Sequence, residues 1–195
     1  MRLGDLPDVP TPRLRCAEPW HTVFGGGLAV GSTALVHGGP GIGKTTELVR
    51  LAASLGPSVL LACHEMGQNL ASLHDVARRT GTDARELWVS DAHTLGELCA
   101  ELARAPAPRA FLLDSLSSLA PDAEEAALVA LRRAAPPACA LVAVVHVTKA
   151  GVMAGSGRLA HLCDTIVRVT AEDVRTETKN RYGALTVAAR PARAP

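Results

Sequence analysis

At 195 residues the chain has the length of one ordinary domain, and a 48% hydrophobic share with only 3% aromatic residues calls for a core of aliphatic side chains. A net charge of +1 excludes nucleic-acid binding that depends on overall charge, so any such contact needs a local basic patch. Apolar runs break well short of a membrane span and Met1-Arg2-Leu3-Gly4-Asp5 does not read as a secretory leader, while Cys16, Cys63, Cys99, Cys139 and Cys163 lack metal-ligand spacing and read as free thiols of a reducing, cytoplasmic setting.

In chain order, residues 1–19 are rich in proline and polar groups and are expected to form an arm without a core-facing period. Phe24-Gly25-Gly26-Gly27-Leu28 reads as a flexible turn ahead of a strand near Ser32–His37. Further strands are predicted at 58–63, 87–90, 110–114, 139–146, 164–170 and 184–189, and amphipathic helices at 43–55, 67–80, 94–105 and 122–135. Such alternation predicts an α/β fold, a mostly parallel sheet flanked by helices on both faces. The domain is expected to span 20–190, with 191–195 as a tail and fraying already from Ala188.

Seventeen arginines accompany only three lysines, Lys44, Lys149 and Lys179. In a composition that exchanges Lys for Arg so freely, the surviving lysines are candidates for positions that need a compact ammonium. Lys44 stands in Gly38-Gly39-Pro40-Gly41-Ile42-Gly43-Lys44-Thr45, which fits G-x-x-x-x-G-K-[ST] between a predicted strand and a predicted helix. Glycines let backbone N–H groups turn toward phosphate oxygens, and the following helix aims its positive end at the same place. With Thr46, these residues form the candidate ATP site, in which Lys44 meets the β- and γ-phosphates and the Thr45 hydroxyl meets Mg²⁺. Ala110-Phe111-Leu112-Leu113-Asp114 is an apolar strand ending in a carboxylate, and Asp114 is the second candidate Mg²⁺ group; its other reading is a strand-end turn residue or helix cap. Glu65 follows a predicted strand and is the candidate for orienting or deprotonating the attacking water; otherwise it is a solvated loop residue.

Val145-His146-Val147-Thr148-Lys149-Ala150-Gly151, His161-Leu162-Cys163-Asp164-Thr165 and Lys179-Asn180-Arg181-Tyr182-Gly183 together resemble the RadA/Sms branch of bacterial RecA-like ATPases. The last resembles that family's Lys-Asn-Arg-Phe-Gly motif, with Tyr for Phe, and the resemblance covers roughly residues 13–187. It implies a RecA-like P-loop ATPase that hydrolyses ATP with Mg²⁺. It also implies assembly as a homo-oligomeric ring such as a hexamer, movement on single-stranded DNA, and support of a recombinase partner in strand exchange. On that resemblance Glu65 matches the catalytic glutamate and His146 stands where these folds place a γ-phosphate sensor. Thr148–Arg158 matches a DNA-binding loop, with Lys149 and Arg158 available to phosphates. Lys179 and Arg181 match residues that reach a neighbouring subunit's nucleotide in trans; without the resemblance they read as an exposed turn between strands.

Against the family pattern, the sequence holds no C-x-x-C pair for the four-cysteine zinc module and is expected to represent the ATPase core without the family's Lon-protease-like domain. The segment after Asp114 is short and carries Asp122, Glu124 and Glu125, which weighs against a first DNA-binding loop there. Trp20 and Trp88 read as packing residues, His64, His74 and His93 as polar groups without metal-ligand spacing, and the Glu124-Glu125 and Arg132-Arg133 pairs as a solvated helix face. Two other readings stay open: an ATP-binding regulatory or scaffold protein with negligible turnover, and a replicative-helicase-like core, which Cys63-His64-Glu65-Met66 somewhat resembles.

Overall fold

The computed structural model describes residues 10–65, 70–104, 106–147 and 157–191. Among them, β3 (Thr33–His37) lies near the middle of an eight-stranded sheet with β4 (Val59–Cys63), β5 (Trp88–Ser90), β6 (Ala110–Asp114), β7 (Ala140–Val144), β8 (Thr165–Val169), β9 (Asp173–Asn180) and β10 (Val187–Ala189). Its order is β10-β9-β8-β3-β7-β6-β4-β5. The strands from β8 to β5 pair in parallel, and β9 and β10 add antiparallel at the other edge. The mostly parallel RecA-like sheet expected from the sequence is therefore present.

Strand alternation sorts the aliphatic residues onto two faces. Ala34, Val36, Val59, Leu61, Ala110 and Leu112 join one cluster with α2 (Lys44–Leu55) and α3 (Leu70–Arg79). Leu35, Leu60, Phe111 and Leu113 join the other with α4 (Leu95–Leu102), α6 (Glu124–Ala134) and α7 (Gly157–Leu162). Burial on both faces explains why the central strands read as continuous apolar runs. Helix starts follow local chemistry. Gly43, in a left-handed conformation, precedes α2, and a capping box between Thr94 and Glu97 opens α4.

Several expectations change. The arm does not extend to residue 19: β1 (Arg13–Leu14) pairs with β2 (Leu28–Ala29), and Leu14 and Cys16 are buried in the core. Between them, Trp20–Val23 forms a short α1, with Trp20 stacked on Phe24 at 5.4 Å. The chain does not fray from Ala188, because Ala188 pairs with Val174 and the Arg190 side chain is 5% exposed. Strand β9 escaped the sequence reading because DVRTETKN has only one strongly apolar residue; its alternation is carried by buried Val174 and Thr176. Trp88 is exposed on edge strand β5 and does not pack in the core. Arg132 is no solvated residue either: its guanidinium donates to Cys139 O at 2.6 Å and Pro136 O at 2.5 Å, closing the α6–β7 turn. Glu124 and Glu125 occupy the first turn of α6, where the helix dipole favours carboxylates.

Candidate nucleotide site

The carboxyl ends of β3, β4, β6 and β7 gather the predicted chemistry on one side of the sheet, the end at which open α/β sheets hold ligands. The glycine-rich loop leaves β3 against the neighbouring strand: a Cβ on Gly38 would meet Val169 O at 2.5 Å, so only glycine allows this approach. Gly41 and Gly43 take φ of +68° and +97°, which turns the loop back into α2. Lys44 Nζ donates to Gly38 O at 3.1 Å and Gly39 O at 3.0 Å, which holds the ammonium over the loop's own mouth.

A cavity of about 530 Å³ opens beside the loop, lined by Gly41, Gly43, Lys44, Thr45, Thr46, Glu65 and Asp114 from the predicted set. Gly38, Gly39, Pro40 and Ile42 form the strand exit and the body of the loop without lining that cavity. The opposite wall is α3, through Ser72, Asp75, Arg78 and Arg79. Nothing in the spacing of those four residues marks them, and only the fold brings them to the loop.

Asp114, 1% exposed, accepts a hydrogen bond from Thr45 Oγ1 at 2.5 Å. Its backbone carbonyl accepts from His64 N–H at 2.5 Å, which ties the ends of β4 and β6 and sets Glu65 beside them. His146 Nε2 lies 2.9 Å from Glu65 Oε1 and 3.2 Å from Ser115 Oγ, and its backbone N–H donates to Ser117 Oγ at 3.1 Å. α5 (Leu116–Leu119), capped by Ser115, thus joins the Asp114 strand to His146. Serine after Asp114 was the available signal for this element, and the sequence reading passed it over. Burial pushes the Cys63 thiol above the ordinary range, and nearby Asp114 and Glu65 push the same way.

Burial also raises the Asp114 carboxyl; Glu65 adds to the rise, while the Thr45 hydrogen bond, Lys44 and His146 oppose it. A carboxyl whose folded pKa exceeds its unfolded one holds more protons when folded. Stability then declines as pH rises from about the unfolded value to the folded value, and levels off above it. Asp114→Asn removes that penalty. In urea unfolding of the nucleotide-free protein, the variant is expected to gain on wild type as pH rises through this window. A difference that stays constant with pH would contradict the assignment.

Lys179, Arg181 and Arg158 do not line this cavity. Lys179 and Arg181 stand at the far end of β9, which runs antiparallel, so they occupy the pole of the sheet opposite Lys44. Lys179 Nζ donates to Ala160 O at 2.9 Å, and Arg181 pairs with Asp164 at 3.1 Å. Arg158 is exposed in the first turn of α7. Lys149 lies outside the described residues, as do Thr148 to Ser156. Among the described residues no His/Cys/Asp/Glu group forms a metal-ligand cluster, and no helix is long and apolar enough to cross a membrane.

No family model matches the chain. Among curated proteins it is 32% identical to the DNA repair protein RadA of Pseudomonas aeruginosa, over 84% of this chain and 39% of that protein. It is 30% identical to the Mycolicibacterium smegmatis RadA, over 83% and 39%, and 28% identical to that of Streptococcus pneumoniae, over 94% and 47%. The chain therefore spans less than half the length of these relatives. Among solved structures, the flagellar accessory protein FlaH from Methanocaldococcus jannaschii superposes with a TM-score of 0.68 at 12% identity, covering 93% of this chain and all of that one. In sequence the chain resembles the ATPase core of the RadA proteins, and its fold is RecA-like.

Proposed function

We propose that the chain binds and hydrolyses ATP with Mg²⁺ and couples that turnover to single-stranded DNA, in the repair setting that the RadA name denotes. One observation carries the reading: Lys44, Thr45, Asp114 and Glu65, drawn from three separate segments, converge on one cavity. The oxygen donors of Thr45 and Asp114 suit a small hard cation, and the buried carboxylate gains most from one. When bound, Mg²⁺ neutralises charge on the β- and γ-phosphates. Lys44 exchanges its two loop carbonyls for phosphate oxygens, and the Gly43 and Lys44 N–H groups at the start of α2 add the helix's positive end. Glu65 takes a proton from water at the γ-phosphate, held in direction by His146.

The polar separation of Lys179 and Arg181 from Lys44 supports their action on a second copy. A head-to-tail contact would set one subunit's pole against the next subunit's cavity, and such contacts close into rings when the rotation permits. The exposed Arg158 is the DNA-facing candidate among the described residues, with Lys149, earlier in the same segment, proposed as its companion.

Labelled single-stranded DNA is expected to bind in the presence of a non-hydrolysable ATP analogue with Mg²⁺ and to be released with ADP, read by fluorescence anisotropy. Joint replacement of Lys149 and Arg158 by Ala should weaken binding about tenfold or more and flatten its salt dependence. Binding that ignores the nucleotide would count against coupling.

A further inference from the structure

Next to the phosphate loop, and outside the cavity lining, lies a buried charged group that the nucleotide reading does not use. Glu47, on the first turn of α2, is fully buried, and its Oε1 is 3.0 Å from both Arg50 NH1 and Arg190 Nε. Arg190 follows β10 and reaches back across the fold. Besides Glu47, its NH1 donates to Ile42 O at 2.9 Å and to Thr170 O at 2.7 Å. One guanidinium thus joins the loop, the helix it feeds and the β8–β9 turn. An exposed surface arginine would satisfy none of these groups; this side chain is 5% exposed.

The contact with Ile42 has a directional consequence. In a planar trans peptide the C=O and N–H point to opposite sides. Ile42 O and Gly43 N–H belong to the same peptide plane. Arg190 and Ile42 do not line the cavity, whereas Gly43 does. Drawing the Ile42 carbonyl back onto Arg190 therefore turns the Gly43 N–H forward, toward the phosphates. Gly43, at φ +97°, has the freedom to rotate out of that orientation, so its peptide needs an external hold.

We propose that Arg190 is a positioning residue for nucleotide binding: it pins the Ile42 carbonyl from behind and thereby presents the Gly43 N–H to phosphate, with Glu47 fixing the guanidinium. This rests on the nucleotide reading above. Removal of Arg190 leaves the phosphate loop able to bind but no longer preorganised, which weakens ground-state and transition-state binding alike.

The test compares MgADP affinity, by calorimetric titration, for wild type, Arg190→Met and the double variant Glu47→Gln/Arg190→Met. Met keeps the buried stem's bulk, and the double variant leaves no buried carboxylate without its arginine. Both variants are expected to bind about tenfold more weakly. KM for MgATP should rise to match, with turnover at saturation within about twofold of wild type. Arg190→Met binding like wild type would overturn the proposal. So would recovery of wild-type affinity in the double variant, since Arg190 would then serve only to neutralise Glu47. If Arg190→Met does not fold, the double variant alone decides, on the same expectation. Wild type that binds no MgADP would sink the nucleotide reading itself, an outcome distinct from intact wild-type binding with unchanged variants.

Discussion

Lys44→Ala is expected to reduce MgATP affinity about 100-fold or more and to abolish measurable turnover. The ammonium lies within hydrogen-bond reach of two carbonyls of its own loop, poised at the cavity where phosphate oxygens would replace them. Charge-assisted hydrogen bonds contribute about 1.5–3 kcal/mol each, and a loss of about 2.7 kcal/mol corresponds to 100-fold in affinity. The same variant tests the trans assignment. Lys44→Ala keeps Lys179 and Arg181, while a Lys179→Ala/Arg181→Ala chain keeps its own loop. Each alone should be inactive, and mixing them should restore part of the ATPase activity at mixed interfaces. Mixtures as inactive as their components would place Lys179 and Arg181 in structural roles, through Ala160 and Asp164 of the same chain.

Glu65→Gln is expected to leave nucleotide affinity within a few fold and to lower turnover by about 100- to 10,000-fold, the range that positioned proton transfer supplies. Gln retains the acceptor oxygen that meets His146 at 2.9 Å, so the geometry survives while the basic carboxylate is lost. That separation of binding from turnover distinguishes a base from a residue that only shapes the wall. Steady-state hydrolysis and equilibrium binding, measured on the same preparations, read the two effects independently.

The candidate site was legible in the sequence wherever one short segment carries its residues. Gly38 to Thr45 specify strand exit, turn and helix start together, and the apolar run into Asp114 marks a buried parallel strand with a carboxylate at its carboxyl end. Glu65 could be placed because it follows such a strand. Other parts depend on neighbours distant in the chain. The α3 wall, Ser72 to Arg79, is an ordinary amphipathic helix until the sheet order brings it opposite the loop. Arg190 meets Glu47, 143 positions away, only after β9 and β10 fold back antiparallel. β9 was missed because it is buried on one face only and spends its other positions on charged residues. Glu124 and Glu125, two of the acidic residues read as repelling DNA, also occupy the first turn of α6, where the helix dipole favours them.

The most direct test of the account is steady-state MgATP hydrolysis by wild type and Glu65→Gln, each with and without single-stranded DNA. The account predicts wild-type turnover that rises with DNA and collapses in the variant under both conditions. MgATP binding with no turnover dependent on Glu65, with or without DNA, would contradict it and leave a nucleotide-binding protein of the regulatory or scaffold kind.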